Sequence, residues 1–135
     1  MIKSLNPNPL NYTHYKVKLG NVHLFKNYII TEFDEGADIT FENFTDLSKI
    51  LKIHFRDEPF GFIANRVNSY ALDINEAELY HKTFPNLKAY AVVAYKPLTH
   101  HIFEIENLFF KFNRKAFDNL ENAIDWVNSE LKIKM

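Results

Sequence analysis

Leu87-Lys-Ala-Tyr-Ala-Val-Val-Ala-Tyr95 is the most strand-like stretch of the chain. From Ala89 to Ala94 both alternating sets of positions carry apolar or aromatic residues, as a strand buried on its two faces requires. Such strands belong to the middle of parallel sheets covered by helices, so the stretch sets an α/β expectation. Upstream, Pro59 precedes Phe60-Gly-Phe-Ile-Ala64, a second apolar run of the same buried type. The two runs are separated by the polar segment Asn65-Arg-Val-Asn-Ser-Tyr70 and by a short helix predicted from about Asn75. That helix carries Ala77, Tyr80 and Phe84 on one face and stops at Pro85.

Downstream, Pro97 and Thr99 open a helix predicted to run to about Phe110, with Ile102, Ile105 and Phe109 inward. Ala116-Phe117 reads as a minimal edge strand. Asp118 and Glu121 read as an Asp-x-x-Glu capping box for a last helix with the stripe Leu120, Ile124, Val127 and Leu131.

The N-terminal half reads differently. Tyr15, Val17 and Leu19 alternate with His14, Lys16 and Lys18, Gly20-Asn21 reads as a turn, and Val22 to Phe25 returns. Tyr28-Ile-Ile-Thr-Glu-Phe33 is a third strand, rich in β-branched and aromatic residues. After the acidic loop Asp34 to Ile39, Thr40 is the expected N-cap of a helix with Phe44, Leu47, Leu51 and Phe55 at helical spacing. Residues 1–12, with Pro7 and Pro9 among asparagines, read as an irregular arm before a single domain at 13–135.

The predicted order is thus β-β-β-α-β-α-β-α-β-α, with strands near 28–33, 60–64, 88–94 and 115–117 in one mostly parallel sheet. Antiparallel strands flank it on the N-terminal edge, and helices are expected near 41–54, 76–83, 99–110 and 119–132. Leu47, Leu51, Ile63, Val92, Ile105, Ile124 and Val127 are the expected core.

At 135 residues the length suits one domain, and 47% hydrophobic with 24% charged residues is a globular balance. The 13 Phe and 7 Tyr are unusual; at roughly 150–250 Å² of burial each, such rings supply a large core or cover a groove. A net charge of −1, from 16 basic and 17 acidic residues, gives no field for nucleic acid or anionic lipid. The absence of cysteine excludes disulfides, thiolate metal sites and a Cys nucleophile. With no apolar span and no signal-like segment, a cytoplasmic location without membrane insertion is the expectation.

From Tyr28 to the C-terminus the chain resembles the STAS (sulfate transporter and anti-sigma factor antagonist) domain, and more closely a group of small bacterial STAS-like proteins. Phe25-Lys-Asn-Tyr-Ile-Ile-Thr-Glu-Phe33, Pro59 through Tyr70, Ala91-Val-Val-Ala-Tyr95 and Phe117 through Trp126 carry the likeness. The resemblance implies a STAS-like α/β domain with about four helices, and a protein partner. In the antagonists an Asp-Ser pair carries a regulatory phosphoserine. Asn68-Ser69 falls in that place, which implies Ser69 as a phosphorylation position; the Asp is Asn68 here, and Tyr70-Ala71 stand where small residues and glycine are usual.

Asn65, Arg66, Asn68, Ser69 and Tyr70 form the candidate binding segment, because sites of α/β proteins gather at the carboxyl ends of strands. Arg66 can hold a carboxylate or phosphate bidentately; alternatively it pairs with an acid of its own chain such as Asp73.

Other clusters point nowhere specific. The six histidines make no metal-binding spacing, and adjacent His100 and His101 diverge on a helix. The acidic stretch Glu32, Asp34, Glu35, Asp38, Glu42 and Asp46 lacks a calcium-loop pattern. Lys111, Arg114 and Lys115 flank Phe109, Phe110, Phe112 and Phe117, but at a helix end where packing accounts for the rings. No Gly-rich phosphate loop or nucleophile elbow is present. No catalytic residue, metal or cofactor is expected. The leading expectation is a non-catalytic regulatory or protein-binding module; the alternative is a small-molecule or lipid binder with an aromatic-lined pocket at the same edge. A homodimeric contact is compatible with either.

Overall fold

The computed structural model describes residues 12–134. The arm expected at residues 1–12 therefore lies outside the described residues, except for Tyr12. Strands β1 (Thr13–Val17), β2 (Gly20–Leu24) and β3 (Tyr28–Phe33) lead to a two-residue strand β4 (Asp38–Ile39) and helix α1 (Thr45–Phe55). Then come β5 (Phe60–Arg66), β6 (Ala71–Leu72), a 3₁₀ turn at Ile74–Glu76, α2 (Ala77–Thr83) and β7 (Leu87–Ala94). Helix α3 (Pro97–Glu106), β8 (Arg114–Phe117) and α4 (Leu120–Lys134) complete the order.

One six-stranded sheet runs β1-β2-β3-β5-β7-β8. Its β1–β2 and β2–β3 pairs are antiparallel; β3–β5, β5–β7 and β7–β8 are parallel. The four strands predicted to share a sheet do so, and β7 lies inside it as the sequence predicted. A second, two-stranded parallel sheet pairs β4 with β6, which no hydrophobic run had signalled.

The sheet separates two cores. On one face α4 packs across β5, β7 and β8, with Leu120, Ala123, Val127 and Leu131 set against Ile30, Ile63, Ala89, Ala91 and Val93. Contact is close: a Cβ at Gly61 would stand 2.3 Å from Val127 Cγ1, so only glycine lets the helix approach there. The other face carries α1, α2 and α3 over a larger, aromatic cluster built on Phe33, Phe44, Phe60, Phe62, Tyr80 and Phe84.

Several local expectations are corrected. The hairpin turn is Lys18-Leu19 rather than Gly20-Asn21. Gly20 opens β2 at φ +147°, and a Cβ there would meet the Glu32 carbonyl at 2.7 Å. Thr40 does accept a hydrogen bond, from Asn43 N–H at 3.0 Å. That bond caps a turn, and α1 begins only at Thr45. Asn119, not Asp118, caps α4 by accepting from Asn122 N–H at 2.8 Å; the Asp118 carboxylate lies 3.1 Å from His100.

The inward face of α3 is also one residue out of phase with the prediction. Phe103, Glu106 and, just beyond the helix, Phe110 are buried, while Ile105 is 54% exposed and Phe109 42%. A glutamate on the inward face is what hid this: an apolar stripe at 102, 105 and 109 looks better than one interrupted by charge. Ile124 is half-buried at the margin of the α4 core. The remaining expected core residues Leu47, Leu51, Ile63, Val92 and Val127 are at most 2% exposed.

Candidate functional site

Strand β5 continues to Arg66, two residues past its predicted end, because Asn65 and Arg66 still pair with Val93 and Ala94 of β7. Pleating then sends successive side chains to opposite faces. Asn65 follows Ile63 onto the α4 side, whereas Arg66 follows Ala64 onto the aromatic side. The predicted binding segment is therefore split between two environments.

On the α4 side, Asn65 Nδ2 donates to Glu32 Oε2 at 2.9 Å and its Oδ1 accepts from the Tyr95 hydroxyl at 2.6 Å. His23 Nε2 lies 3.6 Å from the same glutamate. Burial tends to push the Glu32 carboxyl up, but the neighbouring His23 imidazole and the hydrogen bond from Asn65 outweigh it and hold the carboxyl below its ordinary value.

On the aromatic side Arg66 is not an exposed hook. Its side chain is 4% exposed, Nη2 donates to Glu106 Oε2 at 2.8 Å, and Nε donates to the Tyr70 hydroxyl at 3.2 Å. The acid that pairs with it is thus Glu106 of α3, forty positions away, and not Asp73. Glu106 also accepts from Arg114 Nη2 at 3.0 Å, and the Arg114 side chain is fully buried. Arg114 Nη1 donates to Asn107 Oδ1, while the guanidinium lies over the rings of Tyr90, Phe103 and Phe110 at 4.5–5.4 Å. Arg66 lies over Tyr70 at 4.9 Å. Ring faces of this kind stabilise a cation that has left water.

Beside Arg66 the sheet and helices α1 and α2 leave a cavity of about 40 Å³, lined by Phe44, Phe62, Tyr70, Tyr80 and Tyr90 among other largely apolar side chains. Ring geometry accounts for the gap. Phe44 meets Tyr80 at 86° and Phe84 at 72°, and rigid rings set edge to face cannot interlock as small aliphatic side chains do. The Tyr80 hydroxyl, on this wall, has no hydrogen-bond partner among the described residues, nor does Arg114 Nε. Burial pushes the Tyr70 phenol up to about 12, against the pull of Arg66. Burial, reinforced by Tyr90, Glu76 and Asp73, raises Tyr80 as well. The charge of Arg66 is opposed by burial but held by Tyr70, Glu106 and Tyr90, so its guanidinium lies above its ordinary value.

The rest of the segment is tied to the loop after β3. Asn68 Nδ2 donates to the Phe33 carbonyl at 2.9 Å, Ser69 N–H donates to Glu35 Oε1 at 2.9 Å, and Gly36 N–H donates to the Ser69 carbonyl at 2.7 Å. Ser69 is exposed, with a carboxylate at its own amide, and α2 begins only at Ala77. Sequence reasoning missed Glu106 and Arg114, which complete the buried cluster. The sequence carried no signal for them, because the apolar stripe at Ile102, Ile105 and Phe109 looked complete without Glu106. The acidic stretch, the histidines and the cationic residues near Phe112 bring no third acid or imidazole together as a metal site among the described residues.

A mostly parallel sheet with an antiparallel N-terminal edge and four helices among the described residues give this chain a SpoIIAA-like, that is STAS-like, α/β fold. Among solved structures it is similar to an uncharacterised protein of the DUF3478 family with a SpoIIAA-like fold, from Shewanella loihica PV-4. The identity is 15% and the TM-score 0.56, over 86% of this chain and 91% of that one. At that identity the likeness speaks for the fold and for nothing further. No protein-family model and no curated protein matches the chain. None of the described helices is long and apolar enough to cross a membrane.

Proposed function

We propose that this chain is a non-catalytic, cytoplasmic binding protein that takes a small, largely apolar molecule into the cavity beside Arg66. The observation that carries the reading is the Tyr80 hydroxyl, buried on an aromatic wall with no partner among the described residues. An unsatisfied buried hydroxyl costs about 1–3 kcal/mol, and a ligand acceptor would recover it. The opening of about 40 Å³ is smaller than the roughly 150 Å³ that holds a benzene ring, so a ring enters only as the lining yields. Helix α2 is the part suited to yield: it has seven residues and no side-chain cap.

Benzyl alcohol titrated into labelled protein tests this by nuclear magnetic resonance. Signals of Phe62, Ala64 and Tyr80 should shift together and saturate, and Ala64→Leu, which fills the space, should abolish the shifts. Those three signals staying in place up to the solubility limit, with benzyl alcohol and with its charged ring analogues alike, would remove the reading.

A protein-partner reading has an observation of its own, away from the 65–70 segment. Leu98, Ile105, Leu108 and Phe109 project from the outer side of α3 and the turn after it, all at least 42% exposed. The stripe suits a second copy of the chain, because an antiparallel two-fold pairing centred near Phe103 sets Leu98 of one copy against Leu108 of the other. Sedimentation equilibrium tests it: dimers lost in Ile105→Ser support it, and a monomer at millimolar concentration rejects it.

A further inference from the structure

Resting on the cavity reading above, we propose that the ligand is an apolar monoanion, an aryl or short alkyl carboxylate, whose head group is held by Arg66. Three observations converge on a negative charge.

The first is a charge sum. Arg66, Arg114 and Glu106 are all buried, and two guanidinium cations against one carboxylate leave a net charge of +1 on the cluster. Rings above the guanidiniums soften that excess and do not cancel it. A carboxylate placed beside Arg66 would.

The second is the composition of the wall. Of the side chains that line the cavity, Arg66 is the charged one, and no acid is among them. Asp73 and Glu76 act on Tyr80 from outside that wall. Both are engaged elsewhere: Asp73 accepts from Asn75 N–H at 3.0 Å and Glu76 accepts from Phe41 N–H at 2.8 Å.

The third is the supply of donors. Arg66 uses Nε and Nη2, and Nη1 makes no hydrogen bond among the described residues. The Tyr70 oxygen already accepts from Arg66, so its proton is free to be given, and the Tyr80 hydroxyl is unpaired. A guanidinium with one phenol at 3.2 Å, in a cavity whose wall carries a second, unpaired phenol, offers a carboxylate charge-assisted bonds, roughly twice as strong as neutral ones. It offers an alcohol less and repels an ammonium group.

A head-group series on one ring tests the inference in the intact protein: benzoate, benzyl alcohol and benzylamine, titrated at pH 7 while the cavity signals are followed. Benzoate should bind at least about tenfold more tightly than benzyl alcohol, with benzylamine weakest. Tyr80→Phe, which removes one donor and keeps the ring, should cost benzoate on the order of tenfold in affinity. Removal of Arg66 itself is uninformative, since the cluster supports the fold. If benzyl alcohol binds as tightly as benzoate, the anionic head group is wrong while the cavity reading stands. If none of the three moves the cavity signals, both fall.

Discussion

The two faces of the sheet solve the packing problem in opposite ways. Under α4, alanines, valines and Gly61 let a helix lie close against the strands, and the buried polar groups on that side are Asn65 and His23, gathered around Glu32. Under α1, α2 and α3, large rings meet edge to face, leave a gap, and enclose two arginines and a glutamate. The first arrangement maximises close contact. The second gives some of it up to keep two guanidiniums, their shared carboxylate and open space inside. Such concessions mark the places where proteins bind things, since core packing alone would not select them.

The largest expected effect that would break this contrast is at Glu106. Its removal in Glu106→Ala strands two buried cations at once, and breaking a buried pair from one side costs about 3–5 kcal/mol. Denaturant unfolding should place Glu106→Ala at the top of that range. Arg66→Ala belongs in the same range, not near the 0–1 kcal/mol of an exposed ion pair. A loss under about 1 kcal/mol at Glu106 would mean that water already screens the cluster, and the two faces would not differ in kind.

A smaller and sharper test compares two small residues on β5, three positions apart. Gly61→Ala drives a methyl group into Val127 and should destabilise by roughly 1–3 kcal/mol. Ala64→Val adds its methyl groups toward the cavity and should stay within about 1 kcal/mol of the parent. Equal losses at both positions would show that the gap beside Arg66 is not available space.

The α4 face was the more legible in the sequence. Ala91, Val93, Ile63 and Val127 are apolar residues at strand or helix spacing, and periodicity alone brings them together. The aromatic face was half legible. Phe44, Leu47, Leu51, Tyr80 and Phe84 fell where spacing put them, but α3 was rotated because Glu106 faces inward. No local pattern announces a charge that is neutralised by residues forty positions before and eight after it. The segment from Asn65 to Tyr70 was found as a polar interruption, yet its grouping was wrong: the strand runs on, and its pleat puts Asn65 and Arg66 on different faces.

Alkaline titration sharpens the contrast at intermediate magnitude. Tyr70 is pushed up to about 12 from an ordinary 10.0, and Tyr80 is raised too. The folded chain therefore keeps phenol protons that the unfolded chain releases. Stability should be intact below pH 10 and fall as pH rises toward 12, at about 1.4 kcal/mol per pH unit for each such tyrosine. Tyr70→Phe should flatten that limb when unfolding is measured across the range. An unchanged slope would mean that the phenol is open to solvent.

The smallest effect belongs to Ile105, and it separates the inner and outer sides of α3. Phe103 and Glu106 anchor this helix to the aromatic face, whereas Ile105 is 54% exposed. Ile105→Ser removes little buried surface, so unfolding of the dilute monomer should change by no more than about 0.5 kcal/mol. Phe103→Ala, on the inner side of the same helix, should cost several times more through lost burial and the void left behind. If Ile105→Ser is as damaging as Phe103→Ala in the monomer, α3 is rotated from the orientation that carries Glu106 to Arg66. If its cost appears only as protein concentration rises, the residue is buried between two copies of the chain. That result would leave the cavity face intact and make the outer side of α3 an interface.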